Sequence, residues 1–340
     1  MKAYVLTRHG PPSVLRVSEV PAPTPGPGEV RVRLRAIGVN FAEVLSRKGL
    51  YGWAPKRPYI PGMEGAGEIE ALGSGVTGRR IGEPVIVGAQ HGCYAEQITV
   101  PAHQALPAIP EFTLHENAAF AVNYVTAWVS LMEMARLRPT DAVLVQAAAG
   151  GVGTAAVQLA KAFGCTVYGT AGADGKLGLL KRLGADAAIN YRATDFETAV
   201  RRLTDGRGVD VVLEVVGGEV YRKSLRLLVP TGRLVVIGFA SLNLQKWNPL
   251  SWWRTWRDIP RAKIGDMAVR SVGVLATHVG YLLPERERLA GVWADLLWFV
   301  KRHHIRPVVG SVFPFERLAD AHALMESRRS TGKIVVEIGG

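Results

Sequence analysis

The sequence predicts an α/β fold: a doubly wound parallel sheet of six strands joined to a second, strongly bent β domain. Three observations carry this. Residues Asp141 to Gly153 read DAVLVQAAAGGVG, a β-branched apolar run that passes through small residues into glycines and then into a helical pattern. Apolar strands and helices alternate from there to about Ala276, which demands parallel pairing. Residues 1 to 122 lack that alternation and consist mainly of short β patterns broken by proline and glycine.

The β patterns at the start are Ala3 to Thr7, Leu15 to Val20 and Val30 to Ile37, and between the second and third lies the Pro/Gly-rich stretch Pro21 to Gly28. Asn40 is a favourable helix cap, and Phe41, Val44 and Leu45 share one face of a helix through Arg47. Pro58 to Gly73 reads as a turn followed by a strand, and Val85 to Val87 and Tyr94 to Val100 continue the β pattern. Thr113 to Met134 carries a long apolar helical pattern, interrupted near Asn123 and Tyr124.

The first parallel strand is Ala142 to Val145, and a helix follows from Thr154 to Phe163. Next come Cys165 to Thr170, a helix around Lys176 to Leu183, and Ala187 to Tyr191. Val209 to Val216, a helix including Ser224 to Leu228, Arg233 to Ile237 and Ser271 to Ala276 complete six strands, the number of a full Rossmann sheet. A helix beginning at such a glycine turn leaves its first N–H groups unpaired, so the backbone of Gly150, Gly151, Val152 and Gly153 is the expected pyrophosphate seat. Ala148, Gly150 and Gly153 fill the three small positions of the dinucleotide fingerprint, with alanine in the first. A turn that serves packing alone has the same composition.

The end of the second strand selects between dinucleotides. An NAD site places a carboxylate there, whereas this chain has Gly169 and Thr170, and Asp174 further on reads as a solvated turn residue. Lys176 and Tyr191 offer a cation and a phenol, which suits the 2′-phosphate of NADPH; Lys176 also reads as an ordinary helix-surface lysine. Gly217, and Gly238 with Phe239, follow the fourth and fifth strands, where loops face a bound cofactor.

Between the fifth and sixth strands, residues 241 to 268 hold Trp247, Trp252, Trp253 and Trp256 among Arg254, Arg257, Arg261 and Lys263. A lid, an interface helix and an amphipathic membrane patch are the competing readings, with the lid or dimer contact preferred. Leu289, Val292, Trp293, Leu296, Leu297 and Val300 then repeat at three and four within Pro284 to His303, marking a core-packed helix. Val308 to Phe313, a helix from Phe315 to Glu326 and Lys333 to Ile338 return the chain to its first domain. The domains expected are therefore 1–123, an inserted nucleotide domain 124–280, and a return segment 281–340.

Length and charge narrow the class. The 340 residues suffice for two cores, and no apolar run approaches the roughly 20 residues of a membrane span. Two cysteines, Cys93 and Cys165, form neither a disulfide framework nor a structural zinc site, and with an N-terminus that opens on a strand pattern the expected location is cytoplasmic. The net charge of +12 is spread along the chain rather than gathered in a tail, so no nucleic-acid or membrane partner is favoured.

Taken in order, GVN at Gly38 to Asn40, PGMEGAG at Pro61 to Gly67, NYVTA at Asn123 to Ala127, AAAGGVG at Ala147 to Gly153, GADAAINY at Gly184 to Tyr191 and GKIVVEI at Gly332 to Ile338 resemble the medium-chain dehydrogenase/reductase superfamily. The likeness covers essentially the whole chain. It is to the zinc-independent quinone oxidoreductase branch, and within it PGMEGAG and AVNYVTAW are most similar to the vesicle amine transport protein homologues. The resemblance implies a GroES-like first domain and an NADPH-dependent, zinc-free oxidoreductase that transfers hydride to a quinone or an α,β-unsaturated carbonyl. Asn40 and Met63 stand where zinc relatives have metal ligands, and Glu64 alone is no zinc site. Asn40 and Tyr51 match family positions near the nicotinamide, and Thr126 matches one that contacts the carboxamide or substrate. Each also has a plain structural reading, as helix cap, loop aromatic and core β-branched residue respectively. His91 and His115 read as surface residues. The family has a small polar residue where Val216 stands, which removes a side-chain contact there. The resemblance further implies a homodimer paired through the last sheet strand, here Ser271 to Ala276. Two other functions are weighed: a nucleotide-binding factor without major turnover, associated with RNA or membrane, and an enoyl-thioester reductase.

Overall fold

The computed structural model describes residues 1–240, 251, 253, 257, 259 and 261–339. It divides into two compact units: Met1–Asn123 with Gly280–Trp293 and Arg306–Gly340, and Tyr124–Val279 with Ala294–Ile305. The helix Arg286–Arg302 thus contributes its first half to one unit and its second half to the other. Trp293 packs edge-on against Phe120 in the first, and Phe299 packs against Trp128 in the second.

In the second unit the sheet is wholly parallel. Its strand order is Ala187–Asn190, Thr166–Ala171, Ala142–Val145, Val209–Glu214, Leu228–Val236, Gly273–Ala276. That is the doubly wound order expected, with the direction of winding reversing beside Ala142–Val145. All four residues of that strand are buried, as are all six of Val209–Glu214, where the apolar run takes in the buried acids Asp210 and Glu214. The helices Gly151–Ala162, Asp174–Arg182 and Gly218–Arg226 lie in the crossovers. A further helix, Phe196–Leu203, has no counterpart in the sequence reading; its Asp195 side chain accepts from the Thr198 N–H and caps it. The fifth strand begins at Leu228 rather than Arg233, running through Pro230 and a left-handed Thr231 (φ 65°), so turn-like residues masked its start.

In the first unit Glu29–Val39 is the organising strand. Its far end pairs with Lys333–Glu337, its near end with Gln97–Pro101, and its length with Glu64–Leu72, all antiparallel. Pro84–Gly88 and Ala105–Pro107 extend the sheet on one side, and Val309–Pro314 on the other. Val30, Val32, Leu34 and Ile37 from this strand, with Ile69, Val85, Val87 and Val336, form the core. This is the GroES-like bent β domain that the resemblance implies. The long helical pattern from Thr113 divides into Leu114–Ala118, Ala121–Trp128 and a π-helical turn Val129–Met134. The first piece starts on a capping box in which Thr113 and Glu116 bond reciprocally.

Most of the Trp/Arg stretch, including Trp247, Trp252, Trp256 and Arg254, lies outside the described residues. Trp253 is exposed, with the Arg257 guanidinium 5.2 Å from its ring centre. Among the described residues no helix is long and apolar enough to cross a membrane.

Candidate functional site

The glycine turn is built from small residues because its neighbours leave no room. A Cβ on Gly153 would lie 2.5 Å from the Ala147 carbonyl oxygen and 2.6 Å from the Ala148 Cα, both backbone atoms that cannot move aside. Gly150 is extended at the cap position, and the helix starts at Gly151. The N–H groups of Gly151, Val152 and Gly153 therefore belong to the first turn, where the helix itself offers no carbonyl to accept them. Ala147, in a left-handed conformation (φ 50°), turns the chain out of the strand. This is a backbone cradle of the shape an anionic pyrophosphate requires.

Thr170 does something other than expected. It is wholly buried; its hydroxyl donates to Gln146 Oε1 at 2.7 Å and accepts from the Ala147 N–H at 3.2 Å. Its carbonyl oxygen accepts from the Ala148 N–H at 2.8 Å. The Thr170 side chain is thus a clamp that shapes the turn from the second strand. Gly217 is also held internally. Its N–H points at both oxygens of Glu214, at 3.1 and 3.0 Å, and the Val216 N–H joins it at 2.8 Å. The buried Glu214 carboxyl, pushed up by burial, closes the loop after the fourth strand with its own acid. Gly238 and Phe239 are half-buried after the fifth strand, Phe239 resting on the core.

Past the second and third strands, cations gather. The Tyr191 phenol lies over Gly172, close enough that a Cβ there would meet its oxygen at 2.5 Å. Lys176 is half-buried, and its ammonium is held below the usual lysine range by burial and by Arg192. The Arg192 guanidinium makes no hydrogen bond among the described residues. Sequence reasoning missed Arg192; a cation directly after the third strand was the available signal. Asp174 is engaged elsewhere, accepting from Asn190 Nδ2 at 2.7 Å. Thr126 is half-buried on Ala121–Trp128; its carbonyl accepts from Ser130, and its hydroxyl makes no hydrogen bond among the described residues.

In the first unit Asn40 anchors a buried polar chain. Its Oδ1 accepts from Lys333 Nζ at 2.6 Å, and its Nδ2 donates to Glu64 Oε1 at 3.1 Å and Glu43 Oε1 at 3.3 Å. Lys333 also bonds Glu64 directly. Glu43 accepts the N–H groups of Asn40 and Met63 at 2.6 and 2.8 Å, and the Tyr94 hydroxyl at 2.6 Å. That hydroxyl in turn lies 2.8 Å from His322 Nε2. Burial pushes the Glu43 carboxyl up and the His322 imidazole down to about 3, so His322 is neutral. With Glu43 ionised, the Tyr94 proton points to Glu43, and His322 donates through Nε2. Asn40 is therefore not an open amide; it stands at the N-cap of Phe41–Lys48, its backbone N–H held by Glu43, the third helical residue, in a capping box. Tyr51 is half-buried and edge-on to Trp53, their ring centres 6.4 Å apart. Burial raises its phenol pKa, keeping it a proton donor. His91 is exposed, and His115 pairs with Glu337 at 3.5 Å.

A zinc ion does not fit these residues. Met63 contributes only its backbone N–H here, Glu64 is committed to Lys333, and no group of three His, Cys, Asp or Glu suited to a metal occurs among the described residues. Cys93 and Cys165 are buried free thiols.

Comparison with known proteins agrees with this architecture. The family description "Alcohol dehydrogenase GroES-like domain" matches residues 26–111, and "Zinc-binding dehydrogenase" matches 183–336. The human synaptic vesicle membrane protein VAT-1 homolog is 40% identical over 344 residues, spanning 100% of this chain and 87% of that protein. The chain belongs to the zinc-independent quinone oxidoreductase branch of the medium-chain dehydrogenase/reductase superfamily. The Escherichia coli quinone oxidoreductase complexed with NADPH superposes with a TM-score of 0.88 at 28% identity, covering 99% of this chain and 100% of that one. The Thermus thermophilus quinone oxidoreductase, whose NADPH complex is also solved, gives 0.79 at 35% identity with coverage of 99% and 100%. This member of the branch is thus an oxidoreductase by family.

Proposed function

We propose that this chain is an NADPH-dependent reductase whose acceptor is a quinone or an α,β-unsaturated carbonyl compound. The observation that carries the reading is the pairing of the glycine cradle with an acid-free second strand end, where Lys176, Tyr191 and Arg192 gather instead. Cations and a phenol there favour a 2′-phosphate, and the first-turn N–H groups of Gly151, Val152 and Gly153 would hold the pyrophosphate. The NADPH complexes of the two bacterial quinone oxidoreductases support the same choice. Bound NADPH supplies a hydride.

The protein's own residues orient and stabilise. Thr126 offers an uncommitted hydroxyl, which we assign to the carboxamide or the substrate. Tyr51, kept protonated by burial, is the donor we assign to the substrate oxygen as negative charge develops. Asn40 serves as a positioning residue, since its amide is held by Lys333 and Glu64. A donor set of hydroxyls with no metal-binding cluster among the described residues suits a conjugated acceptor, because hydride addition then spreads the charge over several atoms. We further assign the edge strand Gly273–Ala276, paired on one side only, to a homodimer contact.

The test is NADPH consumption with a panel of quinones, enals and enoyl-CoA thioesters. Turnover of quinones or free enals, with NADPH preferred over NADH, is the expected result. Tight NADPH binding without turnover of any acceptor would replace the reading with a nucleotide-binding factor, and a strong preference for the thioesters would make the chain an enoyl-thioester reductase.

A further inference from the structure

The first unit carries a cavity of about 590 Å³ that shares only Tyr51 with the residues assigned above. His9, Lys56 and Arg57 line it together with Tyr51, Tyr59 and Ser46, and no lining residue is acidic. Its volume is in the range of small-molecule sites.

Several features show charge with no internal counterpart. Arg57 donates through one nitrogen to the Thr7 carbonyl at 3.1 Å, leaving most of its fork unused. The His9 ring is packed over Gly49, where a Cβ would meet its Nδ1 at 2.4 Å. Burial, and then the adjacent Arg57, hold the His9 imidazole below its usual range. Lys56 is exposed and forms no ion pair among the described residues. The Tyr59 phenol oxygen is buried without a well-formed hydrogen bond, with the Ser46 hydroxyl beside it. Such groups around one hollow, with no acid among them, give it a positive potential that favours an anion. Tyr51 and Tyr59 add two aromatic faces, which select a planar body behind the anionic group.

We propose that this cavity binds a planar organic anion, its carboxylate or phosphate held by Lys56 and Arg57. Resting on the function proposed above, and on Tyr51 being common to both, that anion is the acidic group of the hydride acceptor. The acceptor class is then narrowed to conjugated carbonyl compounds that carry a carboxylate or phosphate.

Calorimetric titration of the full chain with phenyl phosphate and with benzoate, against benzyl alcohol, tests the site without any turnover. Both anions, or the one whose chemistry the site prefers, should bind at millimolar concentration or better, and the alcohol should not. Lys56→Gln and Arg57→Gln should each weaken binding by about 10-fold or more, while Lys2→Gln, whose partner is the distant Glu316, leaves it unchanged. Circular dichroism on the same samples checks that the variants fold. No binding, equal binding of the alcohol, or variants that bind like the parent would overturn the proposal. In the reductase assay Arg57→Gln should raise KM for 4-carboxycinnamaldehyde about 10-fold and leave KM for cinnamaldehyde as it was. Equal effects on both aldehydes would separate the cavity from the acceptor. Anion binding that persists in protein reducing no acceptor sinks the reductase reading and leaves the site standing.

Discussion

Replacing Lys333 by methionine removes the only cation bonded to the buried Asn40–Glu64 pair among the described residues. The side chains of Lys333 and Glu64 are 3% and 0% exposed, so neither is compensated by water. Methionine keeps the length and apolar stem of lysine but leaves the Glu64 charge with only the Val122 N–H and the Asn40 amide as donors. Breaking a pair this deeply buried costs about 3–5 kcal/mol, against a typical total stability of about 5–15 kcal/mol. Urea unfolding, read from near-ultraviolet circular dichroism, should show the loss. Removing the stranded charge as well should restore much of it: Lys333→Met/Glu64→Gln keeps the acceptor for Val122, and a coupling of about 2 kcal/mol or more is expected between the two changes. A single variant that costs less than about 1 kcal/mol, the level of an exposed pair, would refute the reasoning, as would additivity in the double variant.

Other outcomes follow from the same geometry. Gly153→Ala should cut NADPH affinity by about 10-fold or more, because its Cβ meets backbone at 2.5 Å; calorimetry that finds parental affinity would show the turn is not the cradle. Lys176→Ala and Arg192→Ala should each weaken NADPH far more than NADH, and an unchanged cofactor preference in both would dismiss them from the phosphate pocket. His322 is held neutral in the fold, with its pKa down at about 3, so the unfolded chain binds the extra proton as pH falls through 6.5. Stability should therefore fall on acidification from pH 6.5 toward 3, by up to about 1.4 kcal/mol per pH unit from this group, and His322→Asn should flatten that slope in urea melts taken at several pH values. Sedimentation at micromolar concentration should give the mass of two chains, and a monomer would take the Gly273–Ala276 edge out of the assembly.

Much of the architecture was legible because it rests on local pattern. The buried strands Ala142–Val145 and Val209–Glu214 announce themselves through their valines and leucines, and the glycine turn has a spacing that few other structures need. The helix Phe196–Leu203 was missed because its charged residues hide a short apolar face, only Phe196, Ala199 and Val200 being buried. At the candidate site the residue types were readable and their commitments were not. Thr170 and Asn40 look like open polar groups in sequence, but their partners Gln146 and Lys333 lie 24 and 293 positions away. Pairings of that kind are set by tertiary packing, and no periodicity encodes them. Lys333 itself opens a strand whose next three residues are apolar, the one local sign that a buried acid waits for it.

The strand Lys333–Glu337 completes the sheet of the first unit from far along the chain, Lys333 lying 269 positions after Glu64. A growing polypeptide therefore has the whole nucleotide-binding sheet outside the ribosome while the far end of Glu29–Val39 is still paired on one side only, with Glu64–Leu72. Until that strand emerges, Glu64 lacks its Lys333 partner, and the N-terminal residues have an open β edge to keep from pairing with other chains. The segment made late in synthesis is what lets the beginning of the molecule close.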